Sequence, residues 1–182
     1  MVETNKNANG DYYPIYEFGM VSINEQFNPL INFDMTLQNS LLAKLEMKKS
    51  RTLTLSFANN QLTEISSEEF IIGSGYRFKD VPLTFGSMGG GGKRTFKSDL
   101  NIKADFGIKN TKTVLRSIDT ELNQISSGQK VVSINTSVDY AFSQSLTIQF
   151  FFQKTINNPY LPSQYRNSNT EGGFSLRFSL AQ

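Results

Sequence analysis

The chain has 182 residues, a formal net charge of +2, and neither cysteine nor histidine. Thiol chemistry, disulfides, metal sites built from Cys and His, and a Ser-His-Asp triad are therefore excluded. The small net charge gives no electrostatic footprint for nucleic acid, and the longest apolar runs, such as LTIQFFFQ, fall far short of the roughly 20 residues that a membrane-spanning helix needs.

The N-terminal segment, MVETNKNANGDYYP, lacks the basic cluster, apolar core and small-residue cleavage site of a secretory signal. We expect residues 1–14 to form an extended or disordered tail. The protein would then either remain in the cytoplasm or be the later part of a longer chain. Residues 15–182 are predicted to form one β-structured unit.

The first predicted strand carries Pro29 within FNPL, which indicates a bend or a break because proline cannot donate a ladder hydrogen bond. QNSL near Asn39 predicts a short turn. RTLTLSF then alternates apolar and polar residues, which is typical of a strand with two different faces. SSEE near Ser67 predicts another turn, after which EFIIGSGYRFK resumes the alternation.

The stretch GSMGGGGKRT, which begins at Gly86, resembles a phosphate-binding loop at first sight. Such a loop needs a glycine six positions before its lysine and a hydroxyl residue directly after it. Counting from Lys93, these positions hold Ser87 and Arg94. The segment therefore predicts a long, flexible connection near residues 79–97, with no bound nucleotide and no other cofactor.

The second half of the chain repeats the alternation four times, in SDLNIKADFGIK, KVVSINTSVDYAFS, LTIQFFFQK and GGFSLRFSLAQ. A polar loop is predicted at NQISSGQ around Ser127 and a tight turn at FSQSL near Ser143. A long loop with two prolines is predicted near residues 157–170. The sequence thus predicts an all-β fold, an antiparallel up-and-down meander of about seven long strands with no helix.

Phenylalanine and leucine dominate one phase of this alternation, and hydroxyls, amides and charges dominate the other. A transmembrane β-barrel wall, with lipid outside and water inside, has this pattern. A soluble β-sandwich also alternates, but its core is expected to be dominated by Val, Ile and Leu. We predict that the lipid-facing side chains include Phe106, Ile134, Phe150, Phe174 and Phe178. We predict that the lumen-facing side chains include Lys103, Asp105, Asp139 and Arg177.

From about Tyr16 onward, the chain resembles the C-terminal region of the SprA/Sov proteins, the outer-membrane translocons of the type 9 secretion system in Bacteroidetes. The resemblance rests on the order and spacing of KKSRTLTLSFANNQLTE, FIIGSGYRFKDV, KSDLNIKADFGIKNTKTVLRSID, NQISSGQKVVSINTSVDYAFSQSLTIQFFF, NNPYLPSQY and GGFSLRFSLAQ.

This resemblance implies a wall segment of a very large single-chain transmembrane β-barrel in the cell outer membrane. Such a barrel exports folded cargo proteins to the cell surface, including adhesins for gliding motility. The implied partners are the remainder of the barrel chain, a PorV-type shuttle barrel, a periplasmic plug protein, the cargo and outer-membrane lipid. The chain is a small fraction of the length of such a translocon, so we expect it to be the last part of a longer protein.

Three alternative functions remain open at this stage. A small standalone outer-membrane barrel, working as a porin or adhesin, would need an eighth strand. A soluble β-sandwich could serve as a binding module. An enzyme is the least favoured alternative, because Asp99, Asp105 and Asp139 could supply a carboxylate pair but nothing in their spacing selects any two of them. We therefore predict that the chain has no catalytic activity.

Overall fold

The structure is a computed structural model that describes residues 18–37, 40–85, 94–142 and 146–178, together with Lys6, Asn9, Gly10 and Tyr12. The described residues form seven strands. These are β1 (Met20–Thr36), β2 (Leu41–Ser56), β3 (Gln61–Phe85), β4 (Arg94–Ser117), β5 (Asn123–Ala141), β6 (Leu146–Pro159) and β7 (Asn167–Phe178). The predicted tail, residues 1–14, and the glycine run lie largely or wholly outside the described residues.

The strands pair antiparallel in chain order, from β1 to β7, within one sheet. This confirms the predicted all-β meander of seven strands. Within the described chain, β1 pairs with β2 alone and β7 with β6 alone, so the sheet is open. The turns after β2, β4 and β6 share one edge of the sheet, here called the upper rim. The last residues of β1, β3 and β5 share the opposite edge, the lower rim.

Pro29 lies inside β1, where the pairing with β2 shifts between Phe27 and Ile31. The predicted bend is therefore a local irregularity within a strand that continues on both sides. Three residues of β1 separate these two positions, whereas a single residue separates their partners on β2. Because the strand gains two extra residues, side chains beyond the shift keep the same facing as those before it.

Two predicted loops are wrong. SSEE near Ser67 lies within β3, and the turn before that strand is at residues 57–60. Glu68 and Glu69 stand opposite Lys49 and Lys48 of β2, so their charges are satisfied by cross-strand pairs instead of by a turn. NQISSGQ around Ser127 is likewise the start of β5, where the pairing with β4 shifts by one residue.

The two long connections are shorter than predicted. Strand β3 continues to Phe85 and β4 begins at Arg94, so both ends of the connection expected near residues 79–97 are strand. The pairing of β3 with β4 shifts between Phe78 and Val81, within the range that was expected to be a connection. Similarly, the loop expected near residues 157–170 is confined to residues 160–166, because β6 ends at Pro159.

The described residues contain almost no core. Val114 and Tyr140 are the buried hydrophobic side chains among them, and no described side chain is fully enclosed. Many large apolar side chains are exposed instead. Within the described ranges, no helix is long and apolar enough to cross a membrane. The position of the exposed apolar side chains on the sheet is therefore the feature that needs explanation.

Candidate functional site

The strand register collects the apolar side chains on one face. Directly opposed residues of paired strands share a face, so each row across the sheet can be followed from strand to strand. One such row runs through Phe33, Leu45, Ile72, Phe106 and Ile134. The rows together form what we call the apolar belt. It consists of the first and then every second residue of the ranges 31–35, 41–47, 70–78, 100–108, 132–140, 146–152 and 174–178.

The five side chains predicted to face lipid all lie on this belt face. Their exposed fractions are 43% for Phe106, 38% for Ile134, 56% for Phe150, 68% for Phe174 and 69% for Phe178. Phe150 and Phe174 stand opposite each other, with ring centroids 6.4 Å apart. Apolar side chains exposed in neighbouring rows across a whole sheet form a continuous patch, and patches of that size mark contact with a partner or a membrane.

The belt slants across the sheet. On β1 the first polar residue above it is Glu25, which is level with Lys112 of β4 through the pairs of β2 and β3. On β7 the first polar residue above it is Thr170, which is level with Phe106 of β4. The upper border therefore descends from the level of Lys112 to the level of Phe106, about 20 Å along a strand.

This descent defines an angle. Six strand spacings of about 4.8 Å separate β1 from β7, a lateral distance of about 29 Å. A descent of about 20 Å over that distance means that the strands are inclined by about 35° to the direction that lies in the sheet and runs perpendicular to the belt. The lower border descends equally, from Met35 on β1 to Phe178 on β7. On β4 the belt extends from Leu100 to Ile108, which at this inclination gives a height of about 22 Å.

The opposite face is polar, and it carries the four side chains predicted to face a lumen. Lys103 stands opposite Ser137, Asp139 opposite Asn101, and Arg177 opposite Thr147. Asp105 stands opposite Gly73 on one side and Asn135 on the other. The first five residues therefore lie on the belt face and these four on the opposite face, and all nine are spread over the sheet without converging on one point.

A ladder of ion pairs on the polar face was missed by the sequence analysis. Glu46 accepts from Lys44 at 2.9 Å and from Lys48 at 3.2 Å, and Lys48 also reaches Glu69 at 4.0 Å. The signal is present in LLAKLEMKKS, where these charges alternate with Leu45 and Met47 at period two. It was hidden because the repeated lysines obscure the alternation.

Glycines create a hollow beside this ladder. Gly73 and Gly75 are buried beneath the neighbouring side chains, and a Cβ on Gly73 would lie 2.1 Å from Oδ1 of Asp105. A cavity of about 270 Å³ opens there, lined by Asp34, Lys44 and Lys103 among others. The glycines thus let charged side chains lie flat on the sheet, where they can present both signs of charge to water.

A second charged cluster lies on the belt face, above the belt. Glu64 accepts from Arg51 Nε at 2.9 Å and from Arg116, so one carboxylate bridges β2, β3 and β4. The hydrogen bond from Arg116, supported by the charge of Arg51, lowers the pKa of Glu64 from its usual range. Sequence analysis missed this cluster because the residues lie far apart in the chain.

The three aspartates considered as a carboxylate pair all lie on the polar face, spread along β4 and β5. The positions of Asp105 and Asp139 differ by four residues in register, roughly 13 Å along the sheet, which is too far for a shared proton. Asp99 accepts a hydrogen bond from the backbone N–H of Asp80 at 3.3 Å. The described part of the chain also lacks any group of three or more acidic side chains able to hold a metal ion.

Comparison with known proteins gives no match to this chain, either to a protein-family model or to a curated protein.

Proposed function

We propose that the chain is a wall segment of a large outer-membrane β-barrel of the SprA/Sov type, through which folded proteins are exported to the cell surface. Within this proposal the apolar belt contacts lipid and the polar face lines a water-filled lumen. The chain performs no chemistry, and its role is to provide a membrane-compatible wall for a wide channel.

The slanted apolar belt is the observation that carries the membrane part of the proposal. Transmembrane β-barrels have an outward apolar band about 25 Å tall and strands tilted by roughly 35–45°. The belt height of about 22 Å and the inclination of about 35°, both obtained from the strand register with standard strand dimensions, agree with those values.

A β-sandwich is disfavoured by the number of layers. Its apolar face must be covered by a second sheet. The described residues form a single sheet, whose apolar face is covered by no other described element. A small standalone barrel also fits the belt, but it would have to bring β1 and β7 together or supply an additional strand between them.

The open edges favour a larger barrel over a small one. Unpaired backbone N–H and C=O groups each cost several kcal/mol in hydrocarbon, so spanning sheets are closed. The described parts of β1 and β7 have one neighbour each and do not pair with each other, so this sheet does not close on itself and further strands at both edges would complete it. The resemblance of the sequence to the C-terminal region of SprA/Sov proteins supplies the identity of such a barrel and its cargo, partners and outer-membrane location.

The polar face suits the passage of proteins. Its hydroxyl and amide side chains bind water without selecting one cargo. The Lys44, Glu46, Lys48 ladder and the neighbouring Lys103 and Asp105 carry charges of both signs, so the surface has no strong attraction for either acidic or basic proteins. This property supports the export of many different folded proteins.

The size of the native protein tests the proposal. Outer membranes of the source cells are separated on a fully denaturing gel, and the protein is located by mass spectrometry of NSNTEGGFSLR, residues 167–177. We expect this peptide in a band roughly ten times heavier than 20.5 kDa. A band near 20.5 kDa in the outer membrane would favour the small barrel, and recovery from the soluble fraction would exclude both barrels.

A further inference from the structure

Charged side chains border the apolar belt along its upper side, and the two halves of the sheet differ in their balance of charge. On β2 and β3 the acids and bases neutralise each other. Lys49 Nζ lies 3.0 Å from Glu68 Oε1, and Glu64 holds both Arg51 and Arg116. An external ion would have to displace an existing partner to bind at these positions.

On the next three strands the same border carries only bases. Lys112 of β4, Lys130 of β5 and Lys154 of β6 form what we call the basic patch. No carboxylate lies on the belt face of β4, β5, β6 or β7 in the ranges described. None of these lysines lies within ion-pair distance of a described carboxylate. Three positive charges therefore remain without a counterion from the described sheet.

The basic patch follows the border of the belt. On β5 and β6 the first polar residues above the belt are Lys130 and Lys154, and Ile156 lies above Lys154. On β4, Lys112 is the second polar residue above the belt. Lysine at such a border can lay its apolar stem on the belt and extend its ammonium toward water. The charges are thus displayed along the line where an apolar layer meets an aqueous one.

Tyr160 marks the same line. Its ring fills the space above Gly128, where a Cβ would lie only 2.8 Å from Tyr160 Cδ2. The Tyr160 backbone N–H donates to Gly128 O at 2.9 Å, and its hydroxyl donates to Asn110 Oδ1 at 3.1 Å. Gly128 stands opposite Lys112, so the ring is held beside the basic patch. Tyrosine with flanking lysines is the combination that anchors proteins at a membrane interface.

We propose that the basic patch and Tyr160 bind the anionic phosphate headgroups of membrane lipids. Lys112 and Lys130, which are neighbours on β4 and β5, share one headgroup beside Tyr160, and Lys154 lies about 13 Å further along the border. This inference rests on the proposed membrane wall, and it adds a specific ligand class and a location on β4–β6. The lipid chains contact the belt below, while the phosphate accepts hydrogen bonds from the ammonium groups and neutralises them. Each lysine near an anionic membrane surface strengthens attachment by about fivefold.

The test compares two double variants of the native outer-membrane protein that contains this chain, purified in micelles of a zwitterionic detergent. Lys112→Gln/Lys130→Gln removes charge from the basic patch. Lys97→Gln/Lys109→Gln removes the same charge from the polar face of β4 and serves as the matched control. Binding of dioctanoyl phosphatidic acid is measured by native mass spectrometry, with inorganic phosphate as a competitor and circular dichroism as a check on strand content.

We expect the patch variant to bind the lipid about 25-fold more weakly than the unsubstituted chain, from about fivefold per lysine, and the control to be unchanged. Excess inorganic phosphate should not displace the lipid, because the apolar chains contribute to binding. Equal affinity in both variants, or displacement by inorganic phosphate, overturns the headgroup site while leaving the membrane wall intact. A chain that forms no strands in micelles and remains soluble without them overturns the membrane wall, and the site with it.

Discussion

Replacement of Phe106 by arginine places a charge on the belt face, within the height that we assign to hydrocarbon. On β4 the belt runs from Leu100 to Ile108, so Ala104 marks its centre. Phe106 lies two residues from that centre, about 5–6 Å in depth at the inferred inclination. Its cross-strand neighbours on the same face are Ile72 and Ile134, neither of which can pair with a cation.

The expected cost follows from this depth. Arginine on the lipid face of a barrel costs about 2–4 kcal/mol at the midplane and little near the interfaces. One row from the centre, we expect Phe106→Arg to lower the free energy of unfolding by about 2 kcal/mol, which is about 30-fold in the folding equilibrium. Phe178→Arg should cost less, because Phe178 is in the lowest row of the belt.

Asn135→Arg is the matched control. Asn135 lies on the polar face of β5 at nearly the same height as Phe106, and it stands opposite Asp105. An arginine there faces water and a carboxylate, so we expect a change within about 0.5 kcal/mol. Urea unfolding in phospholipid vesicles, followed by circular dichroism, measures both variants. Equal stability of the two variants would refute the assignment of the faces, and a loss confined to Asn135→Arg would reverse it.

Two further predictions concern individual contacts. Because Arg116 lowers the pKa of Glu64, the stabilisation from this carboxylate is present above its unfolded pKa of about 4.3 and is lost as pH falls through the lower folded value. Glu64→Gln should therefore be less stable at pH 7, with a difference that shrinks below about pH 4 in urea titrations. Gly173→Ala would place a Cβ 3.0 Å from the Phe151 ring and should cost about 1 kcal/mol, whereas Gly172→Ala, with 3.6 Å to its nearest neighbour, should cost less by the same assay.

The face of the sheet on which each side chain lies was the most predictable property of this chain, and the positions of the strand ends were the least predictable. Alternation is a local pattern, so it placed Phe106 and Asp139 on opposite faces without knowledge of the partner strand. The extent of a strand depends on its partner. Ser67 lies in β3 because β2 supplies lysines to the glutamates that follow it, and a single sequence does not show which strands are adjacent.

The candidate surfaces were predictable to the same extent. Period two located the residues of the apolar belt and of the polar face, whereas clusters that join different strands were invisible. Glu64 and Arg116 are 52 residues apart, and only the register of three strands brings them together. The same holds for the basic patch, whose meaning depends on the absence of carboxylates from the belt face of β4 to β7 in the described ranges.

The register also explains how a polar sequence can contain a continuous apolar surface. The mean hydropathy of the chain is −0.34, a value expected for a water-soluble protein. Averaging along a strand combines the belt with the polar face and cancels both, because adjacent residues point in opposite directions. When the residues are instead averaged along the rows of the sheet, the two faces separate and the belt acquires a height and a slant. The same chain would be destabilised by moving its pairing one residue out of register, since every Phe and Leu of the belt would then face the polar side.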